Sequence, residues 1–139
     1  MVSIKRVLVV DDEPGVRALL SEILAGPELH VTLAGDGLEA VQLLRRRRYD
    51  AVVTDVNMPG MDGIDLLRWM KRNKRREKAV VMSGSPRHDL LPAPELPPIR
   101  ARFRKPFRIG MFVTIMEAVL FDRRGNPGRR AGTGRKGVA

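Results

Sequence analysis

The chain predicts an α/β domain, a doubly wound five-stranded parallel sheet with helices on both faces, and three observations carry that prediction. Short apolar, mostly β-branched runs recur as VLVV at 7–10, AVV at 51–53 and AVVM at 79–82. They are continuous rather than alternating, as in strands buried on both faces. Between them lie segments with apolar residues at helical spacing, so strand alternates with helix. Four of the strands end in polar side chains: Asp11 and Asp12, Asp55, Ser83, and Lys105. Right-handed crossovers bring all these carboxyl ends to one edge, where open α/β sheets place their chemistry. A lone Asp can be turn chemistry; four strand ends supplying one rim cannot be explained that way.

Each element can be justified in order. Val7–Val10 is the first strand, and Pro14 suits the first turn of a helix, where its missing N–H costs nothing. Val16, Leu19, Leu20, Ile23 and Leu24 supply that helix's apolar positions, and Gly26-Pro27 ends it. Leu29 to Leu33 alternates as a second strand. Asp36 with Glu39 resembles a capping box, opening a helix with Leu38, Val41 and Leu44 on one face and Arg45 to Arg48 at its C-terminus. Four arginines there complement the helix dipole. The Ala51–Asp55 strand follows, then a helix from about Asp62 to Asn73 burying Ile64, Leu67 and Met70, with Trp69 at its margin. Ala79–Met82 is a fourth strand. Pro86, Pro92, Pro94, Pro97 and Pro98 then break the pattern, since interior prolines remove hydrogen bonds and clash with the preceding turn. Arg100–Arg104 is a weak fifth strand with Phe103 as its main apolar residue. Phe107 to Phe121 forms a last helix through Met111, Phe112, Ile115, Met116 and Val119.

At 139 residues the chain suits one domain with a real core. The absence of cysteine excludes disulfides and thiolate metal sites, and two histidines, His30 and His88, make a multi-histidine zinc site unworkable. Neither histidine is given a catalytic part. No apolar run has membrane-spanning length, and no leader precedes the first strand; the expectation is a cytoplasmic protein without a membrane partner. Of the net charge of +10, six cations fall in residues 123–139, a glycine-rich stretch without acids. The division expected is a domain over 1–122 and a disordered basic tail over 123–139.

The ordered set VLVVDDEP, VVTDVNMPGMDG, VVMSGS and KPF resembles the response-regulator receiver domain of two-component signalling, from about Lys5 to Phe121. The resemblance implies a CheY-like, flavodoxin-like sheet of order 2-1-3-4-5. It implies that Asp55 accepts a phosphoryl group from the phosphohistidine of a sensor histidine kinase or histidine phosphotransfer protein. It implies Mg2+, with Mn2+ as a substitute, held by Asp12, Asp55 and the Asn57 backbone carbonyl, with Asp11 acting through water. Lys105 would meet the phosphoryl oxygens, and Ser83 would donate its hydroxyl to another. Asn57 and Ser85 stand where receivers tune dephosphorylation. The chemistry is sound: a transferring phosphoryl group needs positioning and cationic stabilisation, and magnesium takes carboxylates and phosphate oxygens. Such a protein is a phosphoacceptor assisting its own modification rather than a conventional enzyme.

Two departures from the family pattern stand out. Receivers carry an aromatic three positions before the lysine; here that position is Arg102, and Phe103 is one residue later. A one-residue offset reverses the face, so either Phe103 lies on the other face or the strand is bulged. The fourth helix is degraded to a proline-rich loop, and the 86–98 segment is expected to order on phosphorylation. No output domain is expected after Phe121, which makes the chain a stand-alone regulator acting on an unknown downstream protein or relaying phosphate. The alternative is a receiver-like module binding nucleic acid through Arg45–Arg48, the Lys71–Lys78 cluster and the tail. It lacks a DNA-binding motif and aromatics for stacking, so nucleic acid is not the expected partner. A haloacid dehalogenase-type phosphatase needs Asp-x-Asp after the first strand, and the adjacent Asp11 and Asp12 exclude it.

Overall fold

The computed structural model describes residues 3–84 and 94–121. The order is β1 (Lys5–Val10), α1 (Pro14–Leu24), β2 (Leu29–Ala34), α2 (Gly37–Arg46), β3 (Ala51–Asp55), α3 (Gly63–Arg72), β4 (Lys78–Ser83), β5 (Ile99–Arg104) and α4 (Ile109–Phe121). All strands pair in parallel, in the order β2-β1-β3-β4-β5. Ser85, His88, most of the proline-rich segment and the tail at 123–139 lie outside the described residues. Among the described residues no helix is long and apolar enough to cross a membrane.

Strand alternation divides the core into two layers. Leu8, Val10, Val52, Ala79 and Val81 face α2 and α3, meeting Leu44, Leu66, Leu67 and Met70. Val7, Val9, Val53, Val80 and Met82 face α1 and α4, meeting Leu20, Phe112 and Met116. The central strands β1, β3 and β4 are therefore sealed on both sides, which is why they read as unbroken apolar runs.

The caps differ in detail from expectation. Asp36 accepts from the Glu39 N–H at 2.8 Å, but the Glu39 carboxylate reaches back to the Gly35 N–H at 2.7 Å, one residue earlier than a capping box. The reciprocal box forms instead at α3, between Asp62 and Asp65. The buried stripe of α2 runs through Gly37, Ala40, Val41 and Leu44, leaving Leu38 59% exposed. Leu19 and Met111 are likewise exposed, each on the outer flank of a stripe wider than the helix needs. Trp69 sits at the margin as expected, half-buried, with the guanidinium groups of Arg45 and Arg75 at 5.9 and 6.0 Å from its ring centroid.

Both alternatives for Phe103 hold. The β4–β5 register runs Ala79 to Ile99 and then Val80 to Ala101, so Arg100 is bulged out of the ladder. The bulge turns the strand over: Ile99 packs with the first layer, whereas Ala101 and Phe103 pack with the second. Phe103 lies 4.7 Å from Phe112 and 5.5 Å from Phe107, centroid to centroid, and is buried. Arg102, opposite Val81, takes the other face and is exposed.

Candidate functional site

The carboxyl ends of β1, β3 and β4 and the residue following β5 bring Asp11, Asp12, Asp55, Ser83 and Lys105 to one rim. Backbone bonds hold these ends level: Asp11 N–H to Ala34 at 3.1 Å, Val56 N–H to Met82 at 2.9 Å, and Lys105 N–H to Ser83 at 2.8 Å. Carboxylate oxygens of Asp11, Asp12 and Asp55 all lie within 4.8 Å of one another. Asp11 and Asp55 are buried, and Asp12 is exposed.

Lys105 bridges the buried pair. Its Nζ lies 2.7 Å from Asp11 Oδ2 and 3.2 Å from Asp55 Oδ2, with Glu13 more distant at 3.5 Å. The remaining Asp11 oxygen accepts the Glu13 N–H at 2.9 Å, so Asp11 steadies the start of α1, while the α1 N-cap, Glu13, has no side-chain cap. The remaining Asp55 oxygen accepts the Asn57 N–H at 3.2 Å, which folds the following loop back over the carboxylate.

The electrostatics follow from this crowding. Burial pushes the Asp55 carboxyl above its ordinary value; Lys105 opposes that, and the Asp11 charge adds to it. Burial works against the charge on Lys105, but the hydrogen bond and charge of Asp11, joined by Asp55, outweigh it and hold the ammonium above its usual range. Two buried carboxylates thus share one cation. A third carboxylate on the open side makes a set of hard oxygen donors suited to a divalent cation of the magnesium class.

Ser83 is fully buried at the end of β4, and Asn57 is half-buried in the loop. In β5 Arg104 lies opposite Ser83, and by strand alternation Arg102 shares that face whereas Phe103 does not, so the nearest aromatic is turned away from the rim.

Three contributors escaped sequence reasoning. Arg17 donates to the Asp11 carbonyl at 2.6 Å, and Glu13 approaches Lys105. Gly63, the first residue of α3, packs directly on the backbone of Asp55: a Cβ there would collide with the Asp55 carbonyl oxygen and lie 2.9 Å from its carbon and 3.0 Å from Val56 Cα. A glycine at the first helical position, a poor helix former immediately after an Asp cap, was the available signal.

Comparison with known proteins agrees with this geometry. The family model of the response regulator receiver domain matches residues 7–93. Sporulation initiation phosphotransferase F of Bacillus subtilis is 31% identical over 105 residues, covering 76% of this chain and 85% of that protein. The DNA-binding response regulator MtrA of Mycolicibacterium smegmatis is 39% identical over 67 residues, 48% of this chain but only 29% of that longer protein. The solved structure of the chemotaxis protein CheY4 of Vibrio cholerae superimposes with a TM-score of 0.75 at 24% identity, covering 85% of this chain and all of that one. With the acidic rim, the bridging lysine and the 2-1-3-4-5 sheet together, this chain belongs to the response regulator receiver domains of two-component signalling.

Proposed function

We propose that Asp55 is the phosphoacceptor, taking a phosphoryl group from the phosphohistidine of a sensor histidine kinase or a histidine phosphotransfer protein in the cytoplasm. An Asp55 carboxylate oxygen forms the new bond to phosphorus, the phosphorus–nitrogen bond breaks, and its electron pair returns to the imidazole. The observation that carries this reading is the ammonium of Lys105, held within hydrogen-bonding reach of both buried carboxylates. It supports the reading because an ammonium beside the attacking carboxylate would lie next to the equatorial oxygens of the phosphorus bonded there.

The donor set fits Mg2+. Asp12 and Asp55 would hold it directly with the Asn57 carbonyl. Asp11, whose oxygens meet the Glu13 N–H and the Lys105 ammonium, would share it through water. The cation would neutralise charge on the phosphoryl oxygens. Ser83 would donate its hydroxyl to one of those oxygens, and Asn57 and Ser85 would tune the loss of the group. Arg102 in place of an aromatic, with Phe103 committed to the core, means that any signal leaving Ser83 travels without an aromatic rotamer switch on its own face of β5. The output is a changed contact with a downstream protein or onward relay of the phosphoryl group.

Incubation with magnesium and a small phosphodonor, followed by intact mass, tests the proposal. Wild type should gain one phosphoryl group, and Asp55→Asn should gain none. Equal gain by both would refute the role of Asp55.

A further inference from the structure

At the end of the sheet opposite the acidic rim, the C-termini of α2 and α3 enclose an open concavity of about 370 Å³. It is lined by Arg45, Arg46, Arg47, Arg48, Lys74 and Arg75 together with Leu44 and Asn73. Lys71, Arg72 and Arg76 flank it in sequence. Among the described residues no carboxylate pairs with the side chains of Arg45 to Arg48 or Lys74. The nearby acids are engaged elsewhere: Glu77 is buried against Arg75, and Asp50 accepts the Arg6 N–H at 2.8 Å. We infer that this concavity is a binding site for a compact polyphosphorylated anion, one with two or more adjacent phosphoryl groups.

Three features separate it from an ordinary solvated charge run. Its cations are not needed as caps for α3, and at α2, whose dipole Arg45 and Arg46 complement, the C-cap carbonyl of Arg47 takes only Arg75 among the described residues. The last carbonyls of α3 are already met by Asn73, which donates to Trp69 at 2.8 Å, by Lys74 N–H to Lys71 at 3.1 Å, and by Arg75 N–H to Met70 at 2.9 Å. Its floor is organised in advance. Arg75 is fixed by Glu77 and by the Arg47 carbonyl, and Arg45 and Arg75 both rest on Trp69, so two guanidinium groups are held near one ring. Like charges gathered in this way repel until an anion joins them. Finally, Lys74 takes φ +55°, the left-handed position where glycine closes a helix without strain. A strained lysine at the wall of a cation-lined concavity places charge where glycine would place none.

Arginine in particular favours phosphate, through its bidentate fork. Arg45 and Arg75 lie near the Trp69 ring and would compete with a base for stacking on it, which favours a compact anion over a nucleic-acid strand.

Calorimetric titration of the full chain with sodium tripolyphosphate, without magnesium and at about 0.15 M salt, tests this. Saturable one-to-one binding is expected. The double variant Arg45→Glu/Arg47→Glu should bind roughly tenfold more weakly or worse, with phosphorylation of Asp55 unchanged. Lys74→Gly should weaken binding while raising the thermal midpoint, an opposition that a damaged fold cannot produce. No saturable binding, or variants that bind like wild type, would overturn the inference. So would tighter binding of duplex DNA with a steep salt dependence, which would give the face to nucleic acid, or equal binding of polyglutamate, which would make it a general acid acceptor.

Discussion

Replacing Gly63 by alanine should destabilise the protein and impair Asp55, although the same change in an open helix stabilises. In a helix, alanine gains up to about 1 kcal/mol over glycine. At Gly63 the added carbon meets the Asp55 carbonyl group and Val56 Cα, all backbone, with the carbon at 2.9 Å and Cα at 3.0 Å. Backbone cannot rotate away as a side chain can, so α3 must shift outward or the end of β3 must move. Overpacking of this kind costs about 1–3 kcal/mol against the roughly 1 kcal/mol or less that alanine returns, so a net loss of up to roughly 2 kcal/mol follows. The displaced atoms belong to Asp55 itself, so its carboxylate leaves the Lys105 ammonium, 3.2 Å away, and phosphorylation slows. Gly110, in α4, is the control: it is exposed, a Cβ added there would have nothing within 4 Å, and conversion to alanine should stabilise by about 0.5–1 kcal/mol. Urea denaturation measures the two shifts, and intact mass against time gives the phosphorylation rate. Gly63→Ala matching Gly110→Ala in sign, with an unchanged rate, would refute the close-approach explanation.

Lys105→Met leaves Asp11 and Asp55 buried without their cation, so the metal-free protein should lose about 3–5 kcal/mol; magnesium should then stabilise the variant more than wild type, and an equal increment in denaturation midpoint would contradict the shared-cation account. Phe103→Leu should cost about 1–2 kcal/mol through lost packing on Phe107 and Phe112, while phosphorylation proceeds at the wild-type rate; a slowed reaction at full stability would restore a signalling part for the ring. Burial alone would raise the Glu77 carboxyl, but hydrogen bonds from Arg75 and the Tyr49 N–H outweigh it and hold the group below its ordinary value. A depressed folded value means stability that is full above the unfolded value and lost as acid passes through the folded one. The stability gap between wild type and Glu77→Gln should therefore be widest near neutrality and shrink below about pH 4, and a gap indifferent to pH would mean that the ion pair contributes nothing.

The central strands and the rim were legible because burial on both faces leaves a strong mark, an unbroken apolar run ending in a polar side chain. Asp11, Asp55, Ser83 and Lys105 come together as their positions after those runs imply. The outer positions were less legible. Leu19, Leu38 and Met111 follow helical spacing yet face outward, because periodicity tells which residues share a face but not how wide the covered stripe is. The orientation of Phe103 depended on a bulge at Arg100 that no local propensity signals. The Arg75–Glu77 pair looked like part of a surface charge run, and only the approach of the Tyr49 backbone, 28 residues away, makes it interior. Gly63 left a faint trace, since steric exclusion shows in sequence merely as a missing side chain.

The outermost strand on one side of the sheet is β5, and among the described residues no strand pairs beyond it. Its outward hydrogen-bonding groups would invite a second chain to add a strand, the first step toward fibrous aggregation. Arg100, Arg102 and Arg104 alternate along it and the kink at Arg100 spoils its straightness, so an incoming strand meets repulsion and a broken ladder. Arg102, at the position where receivers carry an aromatic, thus also charges the edge and sets like-charge repulsion against an added strand.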